Sequence, residues 1–238
     1  MGRIISLRHA QLLVVALLGA VLSVALLTAS ASATGKTWNL TKNFAAHPRI
    51  NPVPDRYRNP QVWSWMYGEG DTPSSYRLLE HFLPPRETMK ECDIHSFEWN
   101  KGPSFFTLPA VWYNAGPTLE RGHNPCAESA EDPTKTFFMH PDNASSLAAV
   151  VRWKSPITGT VTVSGSVQPT DSNVEGIVWQ LDQGSTILLG PTEEANNSLT
   201  SFGPTAVSVK AGESLYFDIG PGRGGSYDTT AVTLNITS

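Results

Sequence analysis

The chain has little charge, few cysteines and no long helical periodicity. Of its 238 residues, 16% are Asp, Glu, Lys or Arg. The formal net charge is −4 and Lys and Arg do not cluster, so the electrostatic footprint of a nucleic-acid binder is missing. No segment keeps apolar residues at helical spacing over several turns, which excludes a helix bundle. G-x-S-x-G, H-E-x-x-H and a catalytic Cys/His signature are absent as well. No catalytic residue and no cofactor is therefore assigned, and the chain is expected not to be an enzyme.

Long apolar runs are also scarce, with one exception at the start. Arg3 and Arg8 precede a run from Leu12 to Ala29 that only Ser23 and Thr28 interrupt. Ala31-Ser32-Ala33 then supplies a small-residue cleavage site. Residues 1–33 are expected to be a signal peptide, leaving a secreted, extracellular domain at 34–238 with no membrane attachment. An uncleaved anchor is the rival, since the run is nearly long enough to span a bilayer. Cleavage removes two positive charges and makes the domain more acidic.

What the chain has is alternation with a period of two. In residues 147–168, Ala149, Val151 and Trp153 fall on one side of a strand, and Val150, Arg152 and Lys154 on the other. Pro156 and Gly159 mark a turn. Beyond it Val161, Val163 and Val167 alternate with Thr and Ser. The reading is an antiparallel hairpin, wet on one face of each strand. Further strands are expected at 36–44, 61–67, 105–114, 135–140, 175–182, 186–189 and 229–237. A second hairpin is expected over 206–219, turning at Lys210 to Glu213. A short helix is expected within 74–82. Residues 86–136 read as an irregular insert holding both cysteines. Many short antiparallel strands with frequent turns make the fold all-β, a β-sandwich or jelly roll.

These pieces together resemble the bacterial secreted jelly-roll domains of galactose-binding-like or carbohydrate-binding-module-like type. The matching residues are Asn59-Pro60 before Val62-Trp63-Ser64-Trp65, then Pro109 to Asn114, His140-Pro141, and Val150 to Trp153 with Ser155-Pro156 and Gly159. Lys210-Ala211-Gly212-Glu213, Asp218 to Gly222 and Tyr227 to Thr230 continue the series. The resemblance implies a non-catalytic module whose partner is a polysaccharide or cell-surface glycan. A protein-adhesion domain and a glycan-acting hydrolase are the alternatives. The insert departs from the pattern.

Sugar rings stack their C–H faces on flat aromatic rings, and polar neighbours fix the hydroxyls. Trp65, Tyr67, Trp112 and Asn114 are the candidates for such a face, with His140, Arg152 and Asp228 as polar partners. Core packing is the competing reading for every strand tryptophan. Arg152 could instead bridge to Asp218 or Asp228. The acids Asp171, Glu175, Asp182, Glu193 and Glu194 show no spacing that pairs two across a scissile bond. The glycine-rich stretch 220–225 joins two strands rather than opening a helix, so it is not a phosphate cradle.

Cys92 and Cys126 would form one disulfide stapling the insert. Cys92-x-x-His95 and His123-x-x-Cys126 leave open a tetrahedral zinc set. Intact mass with and without alkylation separates the two. A bridge predicts no thiol modification until a reductant is added.

Overall fold

The computed structural model describes residues 35–70, 72–85, 95–104, 106–117, 120–121, 131–142, 144–171, 176–195, 197–222 and 227–238. The signal segment 1–33, Cys92 and Cys126 lie outside the described residues. The chain opens with strand β1 (Thr37–Asn39) and helix α1 (Leu40–Ala46). Then come β2 (Trp63–Glu69), β3 (Arg77–Leu78), β4 (His81–Leu83), β5 (Ser96–Asn100) and β6 (Ala110–Asn114). Two short strands, β7 (Glu120–Arg121) and β8 (Glu131–Asp132), precede β9 (Phe137–His140) and β10 (Leu147–Lys154). The remainder is β11 (Gly159–Pro169), β12 (Ile177–Gln183), β13 (Thr186–Glu194), β14 (Thr200–Val209), β15 (Ser214–Pro221) and β16 (Thr230–Thr237).

Two antiparallel sheets carry the fold. The eight-stranded sheet runs β14-β11-β16-β9-β6-β5-β4, with β1 also paired to β16. The six-stranded sheet runs β13-β12-β15-β10-β2-β3. Strands β7 and β8 pair only with each other. The expected all-β, two-sheet architecture is therefore present. Pro191 and Pro204 sit in β13 and β14, the outermost strands on one side, where a missing N–H breaks no inner ladder. No helix among the described residues is long and apolar enough to cross a membrane.

The core lies between the sheets. Trp63 and Trp153 are directly opposed on β2 and β10, and both are essentially fully buried. From the six-stranded sheet, Trp65 reaches Phe137 of the other sheet at 5.6 Å between ring centroids. Further along, Trp179 and Phe217 stack on Phe202 of β14 at 5.1 and 5.4 Å. Fully burying one such ring contributes a few kcal/mol, on the order of 3 to 5 when truncated to Ala.

Both expected hairpins are instead crossings between sheets. β10 pairs with β2 and β15, while β11 pairs with β14 and β16. Likewise β14 and β15 belong to different sheets. The two connections lie side by side at one end of the sandwich. Ser155 N–H donates to Glu213 O and Gly212 N–H to Ser155 O, each at 2.7 Å. Ala211 N–H donates to the Thr158 hydroxyl at 3.0 Å. A short Pro/Gly turn serves a hairpin or an arch equally well. What decides is that Trp153 and Val161 each bury one face, and stacking buries those faces against each other.

Three smaller expectations also change. The strand over 36–44 stops at Asn39, whose side chain accepts from Lys42 N–H at 2.8 Å and caps α1. The helix within 74–82 is one 3-10 turn, Pro73–Ser75, followed by β3 and β4. The outer face of β10 is dry, since Ala148 and Val150 pack with Met66 and Tyr76 and are fully buried.

The Pro-rich stretch after α1 is fixed by Asp55, which is 3% exposed. Its carboxylate accepts from Trp38 Nε1 at 2.7 Å, Tyr57 N at 2.9 Å, Asn59 N at 2.8 Å and Asn59 Nδ2 at 2.8 Å. Removing it strands a buried indole N–H and frees the turn. Asp55→Ala is expected to cost about 2 to 4 kcal/mol in denaturant unfolding. Asn59→Ala, which leaves the indole bond intact, should cost less.

Candidate functional site

Residues Ser96, Glu98 and Asn100 of β5, Ala110, Trp112 and Asn114 of β6, and Phe138 and His140 of β9 share the outer face of the eight-stranded sheet. Strand register puts Glu98 beside Trp112 and Trp112 beside Phe138. The next row sets Asn100 beside Ala110 and Ala110 beside His140. An outer face ordinarily meets water, yet every one of these side chains is buried.

Hydrogen bonds settle most of the polar atoms. Trp112 Nε1 donates to Asp132 Oδ2 at 2.9 Å, and Asn114 Nδ2 donates to Asp132 O at 2.8 Å. Asn114 Oδ1 accepts from Gly116 N–H at 2.7 Å. Glu98 Oε1 accepts from Asn100 Nδ2 at 2.7 Å and from Phe106 N–H at 2.8 Å. Trp112 stacks on Phe138 at 5.4 Å, and Phe106 stands edge-on to both Trp112 and His140, at 5.7 and 5.2 Å.

His140 Nδ1 lies 2.7 Å from the Pro141 carbonyl. A carbonyl only accepts, so Nδ1 carries the proton in this pairing. Burial lowers the imidazole's proton affinity, against smaller opposing effects of that hydrogen bond and of Asp171 and Asp142. Asp171 is itself held by the Thr229 N–H at 2.7 Å. Asp228 is fully buried one residue before Thr229. Strand β16 thus begins at the margin of the same cluster. Tyr227 is different. It is 43% exposed, in the left-handed region at φ 66°.

The structure gathers Trp112, Asn114 and His140, with Asp228 at the edge, and scatters the rest. Trp65 lies on the inner face against Phe44 and Phe137. It is fully buried, so the expectation of an exposed stacking ring is corrected there. The same correction holds for Trp112, whose face is taken by Phe138 and Phe106. Tyr67 is half-buried on the inner side, with the Lys101 ammonium 5.9 Å from its ring. Arg152 lies on the outer face of the other sheet and donates to Ser64 Oγ at 2.7 Å, not to Asp218 or Asp228. Glu98, Asn100, Asp132 and Phe106 were missed as members of the cluster. The alternation in Ser96-Phe97-Glu98-Trp99-Asn100 carries the signal, with Phe97 and Trp99 packed on the main core. Among the described residues no three His, Cys, Asp or Glu side chains converge as a metal site.

Replacing His140 by Gln tests the burial of the neutral ring. The folded imidazole binds its proton less well than the unfolded one, whose ordinary value is 6.5. Its contribution is therefore complete above that value and is lost as pH falls below it. The wild type should lose stability over that acid window more steeply than His140→Gln, read from melting curves at stepped pH. Trp112→Ala should cost about 4 kcal/mol, as a core ring would.

No family model and no curated protein matches the chain. Among solved structures it is similar to a GH26-CBM35 β-(1,4)-mannanase from Podospora anserina, at 15% identity over 42% of this chain and 21% of that one, with a TM-score of 0.28. A second is the M60 catalytic domain with two CBM51 domains of ZmpB from Clostridium perfringens, at 11% identity over 63% and 18%, with a TM-score of 0.32. A third is a cyclase from Fischerella sp. TAU, at 12% identity over 76% and 86%, with a TM-score of 0.33. This chain spans about a fifth of the length of the first two. Likeness at this level assigns neither fold nor function. The structures include carbohydrate-binding-module-containing proteins and an enzyme, and no family is shown.

Proposed function

We propose that the chain is a secreted, non-catalytic jelly-roll module that binds a polysaccharide or cell-surface glycan. The strand order supports the jelly-roll reading. From β9 to β16 the chain changes sheet at every connection except β12 to β13. The resulting orders, β14-β11-β16-β9 and β13-β12-β15-β10, are those of two interleaved four-stranded sheets of a jelly roll.

The observation that carries the binding reading is Tyr227. An aromatic ring left 43% exposed forgoes part of its hydrophobic free energy, and a left-handed backbone costs a bulky residue about 1 kcal/mol or more. Exposure together with a disfavoured backbone supports reading this ring as a contact for a ligand. Tyr227 precedes Asp228 and Thr229, which lead into β16, the strand paired with β9.

Retention of the protein on insoluble polysaccharides and cell walls, with competition by free sugars, tests this reading. Tyr227→Ala is expected to weaken retention about threefold to tenfold while leaving the melting temperature unchanged. Wild-type protein that no glycan retains, or retention that no sugar displaces, would move the reading to protein adhesion.

A further inference from the structure

The outer face of the six-stranded sheet carries positive charge without counter-charge. Register places Ser64, Arg152 and Tyr216 in one row across β2, β10 and β15. The next row sets Lys154 beside Ser214. Residues two apart on a strand share a face, so Arg152 and Lys154 are neighbours on β10. All of these but Ser64 are half-buried.

Donors outnumber acceptors here. Arg152 Nη2 donates to Ser64 Oγ at 2.7 Å. Its Nε is buried and has no acceptor. Among the described residues, no acid pairs with Arg152 or Lys154, and the hydroxyls of Tyr216 and Ser214 have no hydrogen-bond partner. A cation held partly out of water is compensated only by an anion or by acceptors. Asp55, by contrast, accepts four hydrogen bonds.

The acids nearest by register do not fill the gap. Asp218 lies diagonally across from Arg152, yet the guanidinium turns the other way, to β2. Burial, and then the charge of Asp182, raise the proton affinity of Asp218 well above the ordinary carboxylate range. Asp182 lies one strand further off, opposite Tyr216, and accepts from Gln180 Nε2 at 2.9 Å. Glu213, in the neighbouring arch, accepts from the Lys210 N–H at 2.8 Å.

Tyr216 adds a ring to the charge. It packs edge-on against Tyr76 at 5.2 Å, in the row of Arg152. A flat ring beside a cation suits an acidic sugar. The ring meets C–H faces, and the guanidinium meets the anionic group. A bare anion would need no ring.

We propose that Arg152, Lys154 and Tyr216 form a binding site for the anionic group of an acidic polysaccharide, a carboxylate or a sulfate. This site is on the six-stranded sheet, whereas Tyr227 leads into β16 of the other. The choice of a sugar as ligand rests on the glycan reading, and the anion site does not.

Retention of the full chain on immobilised polygalacturonate, dextran sulfate and neutral dextran tests the site. Wild type should be held by at least one acidic polymer about tenfold more tightly than by dextran, and the one preferred tells carboxylate from sulfate. Arg152→Gln should lose that preference. Lys154→Gln, which breaks no contact, should weaken it about threefold to tenfold and keeps the test open should Arg152→Gln fail to fold. Lys42→Gln removes the same charge from α1 and should leave the preference within about twofold. Equal losses in all three variants, or an acidic preference that survives both Arg152→Gln and Lys154→Gln, would overturn the site. Polyglutamate competing as well as oligogalacturonate would overturn the sugar as ligand. Tyr227→Ala should leave the acidic preference intact, which separates this site from that ring. Should no polysaccharide retain wild type, the glycan reading falls and amide NMR decides the anion site alone. Titration with sodium glucuronate, but not glucose, should then give saturable shifts at Ser64, Arg152 and Tyr216, and their absence would overturn the site.

Discussion

The packing of aromatic rings between two sheets is the constraint on which the rest depends. Trp63, Trp65, Trp153 and Trp179 project inward from the six-stranded sheet, and Phe137, Phe202 and Val163 meet them from the other. Rings of that size must interdigitate, so the sheets can stack in few ways. The constraint reaches the backbone. Strands that follow each other must cross from one sheet to the other to keep their apolar faces opposed. The arches at 155–158 and 210–213 do this, and they satisfy their own polar groups by bonding to each other.

Burying both faces of a sheet creates a second requirement. The outer faces here carry Glu98, Asn100, Asp132 and His140 on one side, and Gln180, Asp182 and Asp218 on the other, all out of water. Taking a carboxylate out of water costs several kcal/mol unless it is hydrogen-bonded or neutralised. The two sides meet that cost differently. Glu98 and Asp132 accept bonds from neutral N–H donors. Burial, and then the neighbouring Asp182 charge, instead push the proton affinity of Asp218 up.

Alternation made most strands legible, and many short strands with frequent turns made the sandwich legible. Val232, Leu234 and Ile236 read as one buried face and are one. Sheet membership was not legible. A four-residue turn such as Lys210-Ala211-Gly212-Glu213 fits a hairpin and an arch alike, because both reverse the chain. Only the long-range partners of β14 and β15 distinguish them. The end of β1 was hidden for a local reason, since Asn39 is as acceptable in a strand end as at a helix cap. The site suffered most. Period two tells which side chains share a face, but not whether a later segment covers that face. Trp112 alternates as a surface residue would, and Phe106 covers it.

Tyr227 and Trp112 differ in burial rather than in residue type, and burial separates a candidate contact from scaffold. Both are aromatic, but Trp112 lies within the cluster around His140 and Tyr227 precedes the strand that pairs with β9. Trp112 spends its indole N–H on Asp132 and its face on Phe138, so its ring has nothing left to offer a sugar. Tyr227 packs less of its ring and sits in a conformation that the backbone disfavours. In the proposed reading such a residue is available for a contact outside the fold. A ring presented on a fixed platform would lose less entropy on binding than one on a free loop. The division of labour is thus physical. Side chains with satisfied partners and no exposure build the platform, and in the proposed reading the strained, exposed ring is the one a ligand would meet.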